Sequence, residues 1–305
     1  MAALVSVVIP CYNQAHFVGE AIDSALGQDY RPLEVVVVDD GATDNTAEVV
    51  AVYSEVRCLR QANQGVAAAR NAGLRASHGD YVVFLDADDR LLPDALEAGA
   101  ASLEEHSQAA FTVGRHRNIG ADGSPLPAQP RARVERDHYA ALVRRCWITM
   151  SATVMYRRRA LEAVGAFDRR LRCAEDYDLY LRIARRFPIV DHFTEVAEYR
   201  QYPGTIGRNA ARMLAATLAI LRPHRPGRDA TPAHRLAWRA RDNAVWCYDR
   251  LLDSALDDLA RGRWQTAGRE LVTFARHLPD HPAYALRRLG APLRLATRAL
   301  RRRAA

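Results

Sequence analysis

Clustered aspartates mark where this chain could do chemistry. Tyr81–Leu85 is a run of five apolar or aromatic residues, and Asp86-Ala87-Asp88-Asp89 follows it directly. Leu33–Val38 is a second buried-strand pattern, and it ends in Asp39-Asp40-Gly41. A carboxylate at a strand end can serve simply as a helix cap or turn former. Two acidic clusters behind two hydrophobic strands ask for more. Like charges a few ångströms apart raise each other's pKa unless something positive sits among them. A divalent cation answers that need, because Mg²⁺ sites commonly use one or two carboxylates plus phosphate oxygens. Aspartate can also accept from an imide N–H or from ribose hydroxyls. Asp86–Asp88 therefore reads as a metal–phosphate site.

The elements around these acids have to bring them together. Leu4–Ile9, closed by Pro10, then Leu33–Val38, Val56–Leu59 and Tyr81–Leu85 read as strands. Between them lie helical patterns at about Ala15–Gly27, from Asp44 as N-cap to about Val52, and over Val66–Ala76, with another from Pro93 to about Glu105. Strand–helix alternation with short loops predicts an α/β fold: a mostly parallel, Rossmann-like sheet with helices on both faces. Ligands of such sheets bind outside the carboxyl ends of the strands. There the loops at Tyr12, Asp39-Asp40 and Asp86–Asp88 can converge.

Past Ala109–Gly114, a further strand, the pattern loosens. Gly120–Pro130 reads as a surface loop, Asp137–Arg145 as a helix, Ser151–Tyr156 as a strand, and Arg157–Val164 as a helix stopped by Gly165. Leu179, Tyr180, Ile183, Ala184 and Phe187 make one apolar helical stripe, with Glu175 and Asp176 at its start. The helix dipole is expected to favour their charged forms and lower their pKa. Glu195–Tyr202 alternates as an edge strand. From about Thr205 the chain reads as helical throughout, with Trp238, Trp246 and Trp264 as core. The expected domains are 1–205 and an all-helical, Arg-rich 206–305.

Composition bounds the function. The 305 residues are 49% hydrophobic, and all 43 basic residues are arginine. Residues 207–305 carry 20 arginines against 8 acids, whereas the remainder is net negative. Ala283–Ala305 spaces leucines among arginines as a basic amphipathic segment, which points to an anionic partner, a membrane surface or a charged polymer, with a solvated Arg-rich helical domain as the alternative. No aromatic interleaving of the kind that stacks bases accompanies it, so no nucleic acid is expected. Five scattered cysteines without a CxxC pattern point to a reducing, cytoplasmic setting. Leu4–Ile9 is too short for a leader and no run is long enough to span a bilayer. The expected localisation is cytoplasmic, peripheral on the inner face of a membrane. With no lysine there is no GxxxxGK phosphate loop. His16, His78 and His192 are not at ligand spacing with one another.

Five stretches occur in order: VSVVIPCYN (5–13), VVVVDDGATDNT (35–46), NQGVAAARNAG (63–73), YVVFLDADD (81–89) and AEDYDLYLRIA (174–184). Together, over roughly residues 4–205, they resemble a family 2 inverting glycosyltransferase of the GT-A type. The resemblance implies a transferase moving a sugar from a nucleotide-diphosphate sugar, a UDP-sugar, to a hydroxyl of a glycan or lipid-linked acceptor in cell-surface polysaccharide synthesis, with Mg²⁺ or Mn²⁺. It implies nucleotide contacts at Pro10 and Tyr12, with Tyr12 near the base, Asp39 on the uracil edge, and a further contact at Arg70. Asp40 would be structural or a secondary contact. Asp86-Ala87-Asp88 matches the DxD motif, Asp86 toward ribose and metal and Asp88 the main metal ligand, with Asp89 supporting the turn or capping a helix. Glu175-Asp176 matches the family's "ED" pair, and the acceptor-activating base is assigned to Asp176, with Glu175 the alternative. Two departures stand out. Tyr202 aligns where relatives often carry a histidine that serves as an extra metal or phosphate ligand, and Ala42 replaces a common serine. A sugar nucleotidyltransferase would show a Gly-rich, basic first loop, which Cys11-Tyr12-Asn13-Gln14 is not. The other alternative is a non-catalytic nucleotide-sugar-binding scaffold at the membrane, which the presence of both the DxD and ED pairs disfavours.

Overall fold

The computed structural model describes residues 2–128, 134, 136–202, 210–281 and 284. They form two compact units, Met1–Leu142 with Cys146–Thr205, and Val143–Arg145 with Ile206–Ala305.

The first unit is built on an eight-stranded sheet. Its strands are β1 (Val5–Cys11), β2 (Leu33–Asp39), β3 (Val56–Arg60), β4 (Tyr81–Phe84), β5 (Arg90–Leu91), β6 (Phe111–Ile119), β7 (Val154–Arg157) and β8 (Val190–Arg200). The spatial order is β3-β2-β1-β4-β7-β6-β8-β5. The β3-β2-β1-β4 half is parallel, while β7 runs antiparallel to both β4 and β6. Helices α1 (Ala15–Leu26), α2 (Thr46–Ala51), α3 (Val66–Ala76), α4 (Ala95–Glu105), α5 (His138–Arg144, in this unit through Leu142), α6 (Arg158–Val164) and α7 (Glu175–Ala184) complete the unit.

Side-chain alternation explains the layering. Val5, Val7, Ile9, Val35, Val37 and Val83 share one buried cluster with Val18, Ala21 and Ile22 of α1 and Leu96, Ala100 and Leu103 of α4. Val36 and Val38 point the other way and pack on Ala69 of α3. That helix sits so close that a Cβ on Gly73 would lie 2.2 Å from Val8 Cγ1.

Four expectations about these elements need correction. Strand β1 does not stop at Pro10 but continues to Cys11, which pairs with Asp39. Val8 O accepts from Leu85 N, so two residues on the Pro10 nitrogen faces the same side, where the β4 ladder has ended at Phe84. A missing N–H costs nothing there. Strand β8 is not an edge, because the two-residue β5 pairs with its outer side. Ser151–Thr153 is a single 3₁₀ turn, and the strand begins only at Val154. Asn45, not Asp44, holds the cap position of α2. The Asp44 carboxylate instead accepts from Thr46 N and Ala15 N and so ties the starts of two helices together.

The second unit contains α8 (Ala210–Leu221), α9 (Pro232–Ala240), α10 (Asp242–Ala260) and α11 (Trp264–His277). Leu214, Ala244, Cys247, Tyr248, Leu251 and Tyr284 form its core. The tryptophan expectation fails here. Trp246 is 47% and Trp264 70% exposed, because tyrosine and small residues fill the helix contacts instead. Apart from Tyr284, the Ala283–Ala305 segment lies outside the described residues. No described helix is long and apolar enough to cross a membrane.

Candidate active site

The turn after β4 is built to hold acid. Asp89 N donates to Asp86 O at 3.0 Å, closing a tight loop. The Asp89 side chain is buried and accepts from Arg200 N at 2.8 Å, so it supports the turn. Arg200, 1% exposed, is the brace that sequence reasoning gave no role. Its guanidinium donates to Asp88 O, Ala121 O and Glu20 Oε2 and lies over the Phe17 ring. Within that frame the Asp88 carboxylate accepts from Tyr202 OH at 2.7 Å through Oδ2, and Tyr202 OH in turn accepts from Gln14 Nε2 at 3.0 Å. Burial and the nearby Asp86 push the Asp88 carboxyl above its usual range.

Arg70 joins the two acidic motifs. It projects from α3, is 3% exposed, and donates to Asp86 Oδ1 at 2.6 Å and to Glu175 Oε1 at 2.7 Å. Ser151 Oγ lies 3.2 Å from both Arg70 Nη2 and Asp86 Oδ2. Burial opposes the guanidinium charge, but Asp86 and Glu175 outweigh it and raise the Arg70 pKa. Arg70 therefore faces carboxylates, and its Nε has no hydrogen-bond partner among the described residues. The ED pair starts α7 behind Ala174, a left-handed residue at φ 56°. Glu175 is buried in the Arg70 bridge, whereas Asp176 is only partly buried and makes no ion pair among the described residues. The expected dipole lowering does not win. Burial first, and then the negative Glu175, push the Asp176 carboxyl up to about 7 against the pull of Arg70.

The third group lies at the ends of β1 and β2. The register sets Pro10 beside Val38 and Cys11 beside Asp39, so Tyr12, 47% exposed, follows immediately beyond Asp39's neighbour. Asp39 is 1% exposed; Oδ1 accepts from Ala42 N at 2.7 Å, and Oδ2 accepts no hydrogen bond among the described residues but lies 3.4 Å from Nε of the exposed Arg60. A buried acceptor with an ion pair but no hydrogen bond keeps capacity for a ligand donor. Asp40 is structural: it accepts from Gln61 Nε2, Gln64 N and Gly65 N and anchors the loop that starts α3. Gly41 is required where the turn after Asp40 meets that loop, because at φ +77° a Cβ would lie 2.8 Å from Asn63 N.

Asp86, Arg70 and Glu175 thus meet directly, Asp88 follows on the same turn, and Pro10, Tyr12 and Asp39 form a neighbouring group. Sequence reading missed Ser151, Arg200 and Gln14. Arg200 closes β8 as that strand's only arginine, and no periodic pattern sets it apart.

A parallel α/β half-sheet that presents acids at its carboxyl ends, extended by antiparallel strands and followed by a helical region, is the GT-A architecture of nucleotide-sugar transferases. A model of glycosyl transferase family 2 matches residues 6–165, just over half of the chain, and the chain belongs to that family. It is 33% identical over 191 residues to a chondroitin synthase of Pasteurella multocida (strain Pm70), covering 59% of this chain and 19% of that one. The chain therefore spans about a fifth of that relative's length. It is 29% identical over 222 residues to the uncharacterized glycosyltransferase EpsJ of Bacillus subtilis, covering 68% and 63%. Among solved structures, S. aureus TarS 1-349 in complex with UDP-GlcNAc gives a TM-score of 0.57 at 20% identity, covering 90% of this chain and 91% of that one. The mannosyltransferase PcManGT from Pyrobaculum calidifontis in complex with GDP-Man and Mn²⁺ gives 0.58 at 21%, covering 90% and 86%. At these identities the likeness shows the fold.

Proposed function

We propose that this chain is an inverting, metal-dependent transferase that moves a sugar from a UDP-sugar to a hydroxyl of a glycan or lipid-linked acceptor, in the synthesis of a cell-surface polysaccharide. The observation that carries this reading is the Arg70 bridge, which joins Asp86 of the DxD turn to Glu175 and leaves Asp176 beside it as a carboxylate without an ion pair among the described residues. Asp176 takes the proton of the acceptor hydroxyl as that oxygen bonds to the anomeric carbon. The bond from the anomeric carbon to the diphosphate oxygen breaks, and its electron pair leaves with UDP. Pro10, Tyr12 and Asp39 hold the nucleoside; Asp39 Oδ2, which accepts no hydrogen bond among the described residues, accepts from the base.

The residues present fit a divalent cation. Among the described residues no group of three or more His, Cys, Asp or Glu could hold a metal alone. Asp86 and Asp88 would instead share it with the donor's diphosphate, as Mg²⁺ sites commonly do. Tyr202 OH reaches Asp88 through Oδ2, and burial together with the nearby Asp86 holds the Asp88 carboxyl above its usual range. When bound, the ion neutralises the leaving diphosphate.

UDP release measured across several UDP- and GDP-sugars tests the reading. Release is expected with a UDP-sugar, to vanish with EDTA, and to return with Mn²⁺ or Mg²⁺. Turnover undiminished by the chelator, or confined to GDP-sugars, overturns it. Tyr202→Phe removes the donor on Asp88 while leaving its ring against Phe17. Mn²⁺ binding in the presence of UDP, read by Mn(II) EPR, is expected to weaken about tenfold. Unchanged affinity would leave Tyr202 a packing role. The arginine excess after residue 207 supports a site of action at the inner face of a membrane, where a lipid-linked acceptor would lie.

A further inference from the structure

Helix α11 carries two apolar faces and buries one. Ala267 is fully buried, and Phe274 packs on the core of the second unit. Trp264, Gly268, Leu271, Val272 and Ala275 recur at i, i+4, i+7, i+8 and i+11, which is a single stripe along the helix. All five are exposed, Trp264 by 70% and Val272 by 60%. The exposed Trp246 lies under the Arg250 guanidinium, whereas Trp264 makes no hydrogen bond or ring contact with the described residues. Contiguous apolar surface of this kind marks an interaction site.

Charge says what covers it. Arg269 and Arg276 flank the stripe and make no ion pair among the described residues. Beyond Asp280 the sequence adds seven arginines and no acid. Two copies of the chain meeting through this face would bring like charges together. An anionic lipid surface pairs with the arginines and accepts the apolar side chains at the depth where tryptophan prefers to sit.

We propose that α11 lies in the interface of an anionic bilayer, with Trp264, Leu271 and Val272 at the headgroup–acyl boundary and Arg269 and Arg276 on lipid phosphates. This deepens the membrane reading above and rests on it, by naming the surface that docks.

The test uses the intact chain with phosphatidylcholine vesicles, with and without phosphatidylglycerol, and with doxyl-labelled lipid as quencher. Retention is expected on anionic vesicles only, falling as salt rises. Trp fluorescence is expected to be quenched, with Trp264→Phe removing most of that signal. Leu271→Glu with Val272→Glu is expected to lower retention about tenfold or more, while UDP release in solution stays at the wild-type rate. Three results overturn the docking: no retention at low salt, retention unchanged in the double variant, or a change of oligomeric mass in place of retention. UDP release without vesicle binding would reject the docking alone. Vesicle binding without UDP release would reject the transferase reading alone.

Discussion

Asp176→Asn is expected to bind donor as the wild type does and to transfer sugar about 10²–10⁴-fold more slowly. The amide keeps the shape of the carboxylate and cannot take the acceptor's proton. Its neighbour is a poor substitute, because Glu175 is tied to Arg70 at 2.7 Å and buried. The pH dependence separates this role from a structural one. With the Asp176 carboxyl pushed up to about 7 by burial and by Glu175, the fraction able to act as base falls about tenfold per pH unit below that value. The wild-type kcat/KM is expected to rise with pH on that limb and to level above it, and the variant's residual rate is expected to lack the limb.

Stability should move the other way. A carboxyl whose folded pKa is raised binds its proton more tightly folded than unfolded. Asp176 therefore destabilises the fold increasingly as pH rises from the usual carboxylate value through about 7. At alkaline pH the Asn variant should melt no lower than wild type. A variant that keeps wild-type transfer would move the base elsewhere.

The parallel half of the sheet was legible because β1, β2 and β4 are buried on both faces, so their composition alone marks them. Their topology follows from the helices between them, and the acids stand where such strands end. The rest depends on partners far apart in sequence. Arg70 meets Asp86, Ser151 and Glu175 across 16, 81 and 105 residues, and no local pattern announces those bonds. Arg200 reaches Glu20 across 180 residues. The strand Arg90–Leu91 is too short to carry a period, so β8 looked like an edge. The Trp264 error has a different cause. α11 is apolar on two faces, and periodicity cannot say which one a protein buries.

Arg70→Met tests whether that long-range bridge holds the two acidic motifs in place. Methionine keeps much of the side-chain volume and removes the charge. Asp86 and Glu175 would then face each other's charge in a site where Arg70 is 3% and Glu175 6% exposed. Removing one partner of a buried ion pair typically costs about 3–5 kcal/mol, which for a unit of this size lowers the melting midpoint by roughly 10 °C. Lowering the pH should narrow the deficit, since protonation relieves the unpaired carboxylates, and thermal melts at two pH values would read that directly. Activity should fall further than stability explains, because Asp86 and the start of α7 lose their common anchor, and donor binding and the Asp176 limb of the pH profile should change together. Two separate substitutions sharpen the inference. If Ser151→Ala leaves both properties nearly intact while Arg70→Met shifts both, the guanidinium couples donor and base. If Arg70→Met lowers the melting point and leaves the pH profile in place, the bridge is a matter of packing, and the two halves of the site act independently.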